Sequence, residues 1–208
     1  DFTNNDAATM AGYTVTQATE GTFTMGSGLG GTALLDCNSG TQHQGVQVQK
    51  LGPCFTPAAN KDIWFEAQFK VVDTAITPQL FAGLAGVDST LVPSGDLDAA
   101  NTEYIGFGIE TTKAGVMSFY EAKATAELSD SLGSTGTLVE ATYIRVGFKV
   151  VGITGINCYL NGAEQTLTNV VASGIPVTDI MTPSFVCQTD STTDPIMHLD
   201  WYRVVQLR

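Results

Sequence analysis

Apolar and polar residues alternate with period two through most of this chain. In KDIWFEAQFKVV one set of alternate positions collects Ile63, Phe65, Ala67, Phe69 and Val71, and the other carries Asp62, Trp64, Glu66, Gln68 and Lys70. A strand turns successive side chains to opposite faces, so this spacing predicts a strand with one face in a core and one in solvent. The same pattern recurs in HQGVQVQKL, where Val46 and Val48 alternate with Gln47 and Gln49, and in QLFAGLA through Leu80, Ala82 and Leu84. It continues in YIGFGI through Ile105, Phe107 and Ile109, and in TYIRVGFKVV through Ile144, Val146, Phe148 and Val150. Each is expected to be half-buried. Asn161-Gly162 lies between two such runs and predicts a hairpin, because both residues of a tight two-residue turn take positive φ. The stretch with most helical character, EAKATAELSD, reads as a loop or short turn because of its Thr and following Ser-Asp. Roughly ten to thirteen strands with Gly-rich turns give an all-β fold, a two-sheet antiparallel sandwich.

A chain of 208 residues suits one such domain. No repeat of fixed period and no Pro- or Ser-rich linker divides it, so residues 1–31 read as a polar N-terminal arm or first strands and residues 32–208 as the sandwich. No run approaches the roughly 18–20 apolar residues that span a bilayer, and DFTNNDAATM has neither a basic start nor an apolar core, so neither a membrane anchor nor a secretory signal is read. Nine Lys and Arg against 21 Asp and Glu give a net charge of -12, which argues against nucleic acid as a partner because phosphate backbones require clustered cations. Hydrophobic residues at 43% supply a core.

The chemistry-bearing residues are few. Cys37, Cys54, Cys158 and Cys187 contain no CxxC spacing for zinc; Cys158 and Cys187 sit in apolar runs and read as buried thiols, with any pairing left open. His43 and His198 fall in no nucleophile or metalloprotease motif and read as structural or exposed. MGSGLGGT, residues 25–32, lacks the Lys-Ser/Thr of a phosphate loop and reads as a turn. The segment VDSTLVPSGDLDAANTE, residues 87–103, is an acidic loop whose Asp96, Asp98 and Glu103, with Asn101, offer the hard oxygens calcium prefers, with simple solvation as the other reading.

The order FEAQFKVVD, LFAGLAGVDST, YIGFGIE, YIRVGFKVVG, CYLNGAEQT and HLDWYRVVQLR resembles the concanavalin A-like jelly roll over about residues 61–208, most clearly at 143–148, 158–162 and 199–206. That superfamily includes glycoside hydrolases, lectins and virus-particle proteins, so function has to come from sites. The laminarinase-like branch carries its carboxylates in an E-x-D-x-x-E strand, and no such string occurs here. The nearest pair, Asp62 and Glu66 beside Trp64, stands roughly 13 Å apart along one strand, beyond the roughly 5.5–9.5 Å that glycoside hydrolysis uses. An enzyme is therefore the least favoured reading. The resemblance also places Asp200 where some hydrolases of the fold hold a structural calcium, making Asp96, Asp98 and Asp200 the candidate metal ligands.

Trp64, with Glu66 and Gln68 on the same face, is the candidate binding group, and a lectin-like or tail-fibre module binding a glycan or receptor is the alternative function. The same strand wording resembles small virion proteins of tailed bacteriophages. This implies a non-enzymatic capsid decoration (cement) protein on the outer head surface, soluble before assembly. Its partners would be the major capsid protein and other virion proteins, with the chain itself a homo-oligomer, a trimer being one form. The acidic balance fits the exterior of a shell better than its genome-facing side.

Overall fold

The computed structural model describes residues 12–17, 20–26, 31–38, 41–72, 78–111, 115–190 and 194–208. They form two antiparallel sheets. Sheet A has the order β1-β4-β13-β6-β7-β8-β9, and sheet B the order β12-β11-β10-β5-β14-β3-β2. The strands are β1 (Tyr13–Gln17), β2 (Thr22–Gly26), β3 (Thr32–Asp36), β4 (Gly45–Lys50), β5 (Ile63–Val72), β6 (Gln79–Ala85), β7 (Tyr104–Ile109), β8 (Ser118–Lys123), β9 (Ala126–Ser131), β10 (Ile144–Val151), β11 (Gly155–Leu160), β12 (Ala163–Gln165), β13 (Thr182–Gln188) and β14 (Ile196–Gln206). Of residues 1–31, the described part supplies β1 and β2, an edge strand for each sheet; the remainder of that expected arm lies outside the described residues.

The alternation of β5 predicts its burial residue by residue, with every second side chain in the core. Between the sheets, Phe65 stacks on Phe148 at 5.1 Å, and Phe119 meets both Phe107 at 5.1 Å and Phe148 at 5.6 Å. Burying each such ring stabilises the fold by about 1.5–3 kcal/mol. Asn161 and Gly162 take φ of 50° and 84° and turn β11 into β12. In the bond ladder between β14 and β5 a bulge falls between Leu199 and Trp201, so Asp200 is the extra residue.

Two expectations are corrected. EAKATAELSD is a strand hairpin, β8 to β9, turned by Ala124 and Thr125 at φ 50° and 75°. Neither is a usual turn residue, and the positive φ of both is imposed by the flanking strands. Secondly, β6 and β7 are buried on both faces, as are Gln47 and Gln49 of β4. Their outer face is covered by the segment 86–103, the acidic loop of the sequence.

Candidate functional site

That segment is a strap lying on sheet A. Its Leu91, Val92 and Leu97 join Phe81, Tyr104, Tyr120 and Val186 in a second apolar cluster, separate from the inter-sheet core. Side-chain amides hold the strap's backbone. Gln47 donates to the Asp88 carbonyl at 2.6 Å and accepts the Leu91 N–H at 2.8 Å; Gln49 donates to the Gly86 carbonyl at 2.9 Å and accepts the Asp88 N–H at 3.1 Å. Glu110 accepts the Leu97 N–H at 3.1 Å and the Tyr120 hydroxyl at 3.0 Å. A buried loop must satisfy its peptide groups, and two glutamines on adjacent outward positions of one strand do so here. At Gly106, in the middle of this face, an added Cβ would stand 2.7 Å from the β6 backbone at Ala82 O and Gly83 Cα and 3.0 Å from the Phe81 ring, so glycine admits both the neighbouring strand and the ring that the strap packs on.

A second covering segment connects β12 to β13, and three carboxylates grip it, Glu121 and Asp130 from sheet A and Glu103 from the end of the strap. Asp130 accepts the N–H groups of Thr168, Asn169 and Val170 at 2.7, 2.7 and 2.9 Å. Burial opposes its ionisation, but these bonds and the Thr168 hydroxyl outweigh it and hold the carboxyl below its usual range. Glu103 accepts Thr178 and Asp179 N–H at 3.1 Å each, and is likewise lowered against the effect of burial. Glu121 is fully buried, accepts the Val171 N–H through Oε1 at 2.8 Å, and has no hydrogen-bond partner for Oε2. Burial above all pushes its carboxyl up to about 7, with Asp130 adding to the effect.

Sheet B presents the opposite situation. On its outer face β5, β10, β11 and β14 line an open groove of about 530 Å³, walled by Trp64, Tyr159 and Val205. Across its floor runs a charge triad. Arg203 donates through Nε to Glu66 Oε2 at 2.7 Å, and Arg145 Nε lies 3.1 Å from Glu66 Oε1. Two guanidinium groups on one carboxylate leave the triad at net +1, and both arginines are exposed enough to offer further N–H donors. Gly147, paired with Glu66 across β10 and β5, leaves the floor open because it has no side chain. Beside the groove, Lys149 pairs with Asp62 at 2.9 Å and lies 4.9 Å from the Trp64 ring centroid.

Of the residues singled out in the sequence, Trp64 and Glu66 both line this groove. Gln68 follows on the same face and donates to Asp200 at 3.0 Å. The proposed calcium trio is not assembled. Asp200 lies on sheet B, whereas Asp96 and Asp98 lie on the strap over sheet A, where Asp98 accepts the Asn101 amide at 2.7 Å. Among the described residues no group of three His, Cys, Asp or Glu side chains could hold a metal. His43 meets Gln79 at 3.0 Å, and burial together with Lys70 lowers the pKa of His198. The sequence reading missed Arg145, Tyr159, Arg203 and Val205. Their signal is parity, since Arg145 and Gly147 alternate with the core residues Ile144, Val146 and Phe148, but parity alone does not say that β10 and β14 flank β5.

No protein-family model and no curated protein sequence matches the chain. Solved structures do. The chain is similar to peanut lectin, with TM-score 0.65 and 11% identity, over 100% of this chain and 96% of that one. The fold is the concanavalin A-like jelly roll. It is also similar to a glycoside hydrolase family 16 endo-glucanase from Bacteroides ovatus, with TM-score 0.62, 11% identity and coverage of 93% and 94%. An alginate lyase of polysaccharide lyase family 7, A1-II', aligns with TM-score 0.55, 10% identity and coverage of 91% and 84%. At such identities the likeness concerns the jelly roll itself.

Proposed function

We propose that this chain is a non-enzymatic module that works by contact, docking through the outer face of sheet B. The surface it docks on is the outer shell of a tailed-phage head, which it reinforces as a decoration protein, and its direct partner is the major capsid protein. The observation that carries the reading is the asymmetry of the two sheets. Sheet A's outer face is filled by the chain's own strap, whereas sheet B leaves an apolar-walled groove open to a partner. Carboxylates that would otherwise suggest acid–base chemistry are committed elsewhere: Asp62 and Glu66 are ion-paired, and Glu121 is buried against the segment it holds. The choice of a phage shell rests on the sequence resemblance, and the acidic balance suits the exterior of such a shell. Copies bridging neighbouring shell subunits, as a trimer or another closed oligomer, would share the docking area.

The test is the copy number of this chain in purified particles, by quantitative mass spectrometry against the most abundant shell protein, followed by rebinding to particles stripped of it. A simple ratio, and loss of at least about tenfold in rebinding for a Trp64→Ala, Val205→Asp double variant of unchanged thermal stability, are expected. Absence from particles overturns the assignment to a shell. Wild-type rebinding by the double variant overturns the docking face.

One observation favours a second reading. Trp64 and Tyr159 line the groove together with Arg145 and Arg203, and aromatic walls with fixed N–H donors also suit a sugar. On that reading the protein is a glycan-binding module, Trp64→Ala abolishes its glycan affinity, and a blank glycan array for the wild-type protein removes it.

A further inference from the structure

The sheets are joined by packing, but at one point two nucleophilic side chains meet across the layer between them. Cys37 directly follows β3 of sheet B, and Cys187 lies within β13 of sheet A, paired with Val46 on one side and Leu80 on the other. Both are fully buried free thiols, and their sulfurs stand 3.8 Å apart. The Pro195 carbonyl binds the two residues together, accepting the Cys37 N–H at 3.2 Å and contacting the Cys187 sulfur at 3.8 Å. Of the other cysteines, Cys54 is exposed and Cys158 is buried on β11.

We propose that Cys37 and Cys187 are a redox pair that closes to an inter-sheet disulfide when the protein meets an oxidising environment. A disulfide needs its sulfurs about 2.05 Å apart, so the pair has to close by less than 2 Å, a displacement that side-chain rotation supplies without separating the strands. Inter-sheet disulfides are compatible with sandwich packing, as immunoglobulin domains show. The oxidant is a small external disulfide such as oxidised glutathione. One cysteine, as thiolate, attacks it, expels one glutathione thiolate and forms a mixed disulfide. The second cysteine gives up its proton and attacks the protein sulfur of that mixed disulfide, expelling the second glutathione. Two S–H bonds are lost, one S–S bond forms, and the two electrons and two protons end on two glutathione thiols.

The hydrogen bond to the neighbouring Cys187 sulfur, and after it burial, raise the Cys37 thiol pKa, so exchange in the closed protein is slow and proceeds during folding or transient opening. The same burial then shields the finished bond from reductants. The two cysteines are 150 residues apart in sequence, so the crosslink ties together most of the chain and restricts the unfolded state strongly. It is independent of what sheet B docks on.

The experiment uses the full chain, produced once in a reducing cytosol and once in an oxidising compartment, and incubated with a glutathione redox buffer. Unfolding in urea with an alkylating agent and no reductant should label two of the four cysteines in the oxidised protein, Cys54 and Cys158. Its mass before alkylation should be about 2 Da below the reduced form, and peptide mapping should recover Cys37 joined to Cys187. Thermal midpoint should rise by about 10 °C on oxidation. Cys187→Ala should lose both the mass difference and the redox dependence, while Cys54→Ser, which also removes intermolecular pairing, should keep them. Labelling of all four cysteines on urea unfolding of the protein made in the oxidising compartment and treated with glutathione buffer overturns the proposal, as does a crosslink that includes Cys158.

Discussion

Glu121 holds the Val171 N–H at 2.8 Å from a position with no exposure to solvent, and its second oxygen has no partner. An ionised carboxylate is costly there, and the folded protein favours its protonated form, with a pKa near 7 against an ordinary value of 4.5. Between these two values the folded state binds more protons than the unfolded one, so stability falls as pH rises through this window and levels off above it. Urea midpoints at pH 5 and pH 8 should show this decline, and Glu121→Gln, which keeps the acceptor for Val171, should flatten it. An unchanged pH profile in the variant would falsify the assignment.

Asp130 responds in the opposite sense. Its folded-state pKa lies below the usual 3.8, so the stability it supplies is complete above that value and lost as pH falls through the folded-state one. Asp130→Asn removes the charge from an acceptor of three backbone N–H groups and should cost about 2–4 kcal/mol at pH 7. Hydrogen exchange at Asn169 and Val170 should accelerate more than at the core strands. Equal acceleration throughout would mean that the carboxylate does not hold this segment locally.

Removing a strap anchor should open the strap before it unfolds the sandwich. Gln47→Ala leaves the buried Leu91 N–H without its acceptor and should cost about 1–3 kcal/mol. Faster exchange at the Leu91 and Leu97 amides, with β5 and β10 unchanged, is the expected signature. Uniform protection across the strap in the variant would show that apolar contacts alone keep it closed.

Gly162 has φ of 84°, and a Cβ added there would come 2.6 Å from Arg145 Nη2. Gly162→Ala should therefore destabilise the fold by about 1–2 kcal/mol and displace Arg145 from the groove. An urea titration reads the first effect. For the second, Arg145→Ala in wild-type and Gly162→Ala backgrounds should give non-additive losses in partner binding.

Much of the fold was legible because β-sandwich strands display their parity. Ile63 to Val71 marked the core face of β5, and that same count assigned Trp64 and Glu66 outward, where the groove lies. Asn161-Gly162 marked its hairpin because its backbone demand is local. Parity stops at the single strand, however. It could not show that Arg145 and Arg203 converge on one carboxylate from β10 and β14, since that depends on strand order. Nor could it show that Gln47 and Gln49, polar and outward, would be buried by another part of the chain. The strap reads as an acidic loop because its three apolar anchors, Leu91, Val92 and Leu97, are scattered among Asp, Ser and Pro.

The grip of Glu103, Glu121 and Asp130 on one connection also changes what the charge of -12 means to anything approaching from outside. A formal count treats every carboxylate as a source of field in solvent. These three direct their oxygens at peptide N–H groups of their own chain, and one of them holds its proton near neutral pH. Glu103 and Asp130 stay ionised, so electrophoretic mobility and ion-exchange retention near neutral pH should report a molecule less anionic than its composition suggests by no more than the one charge that Glu121 withholds.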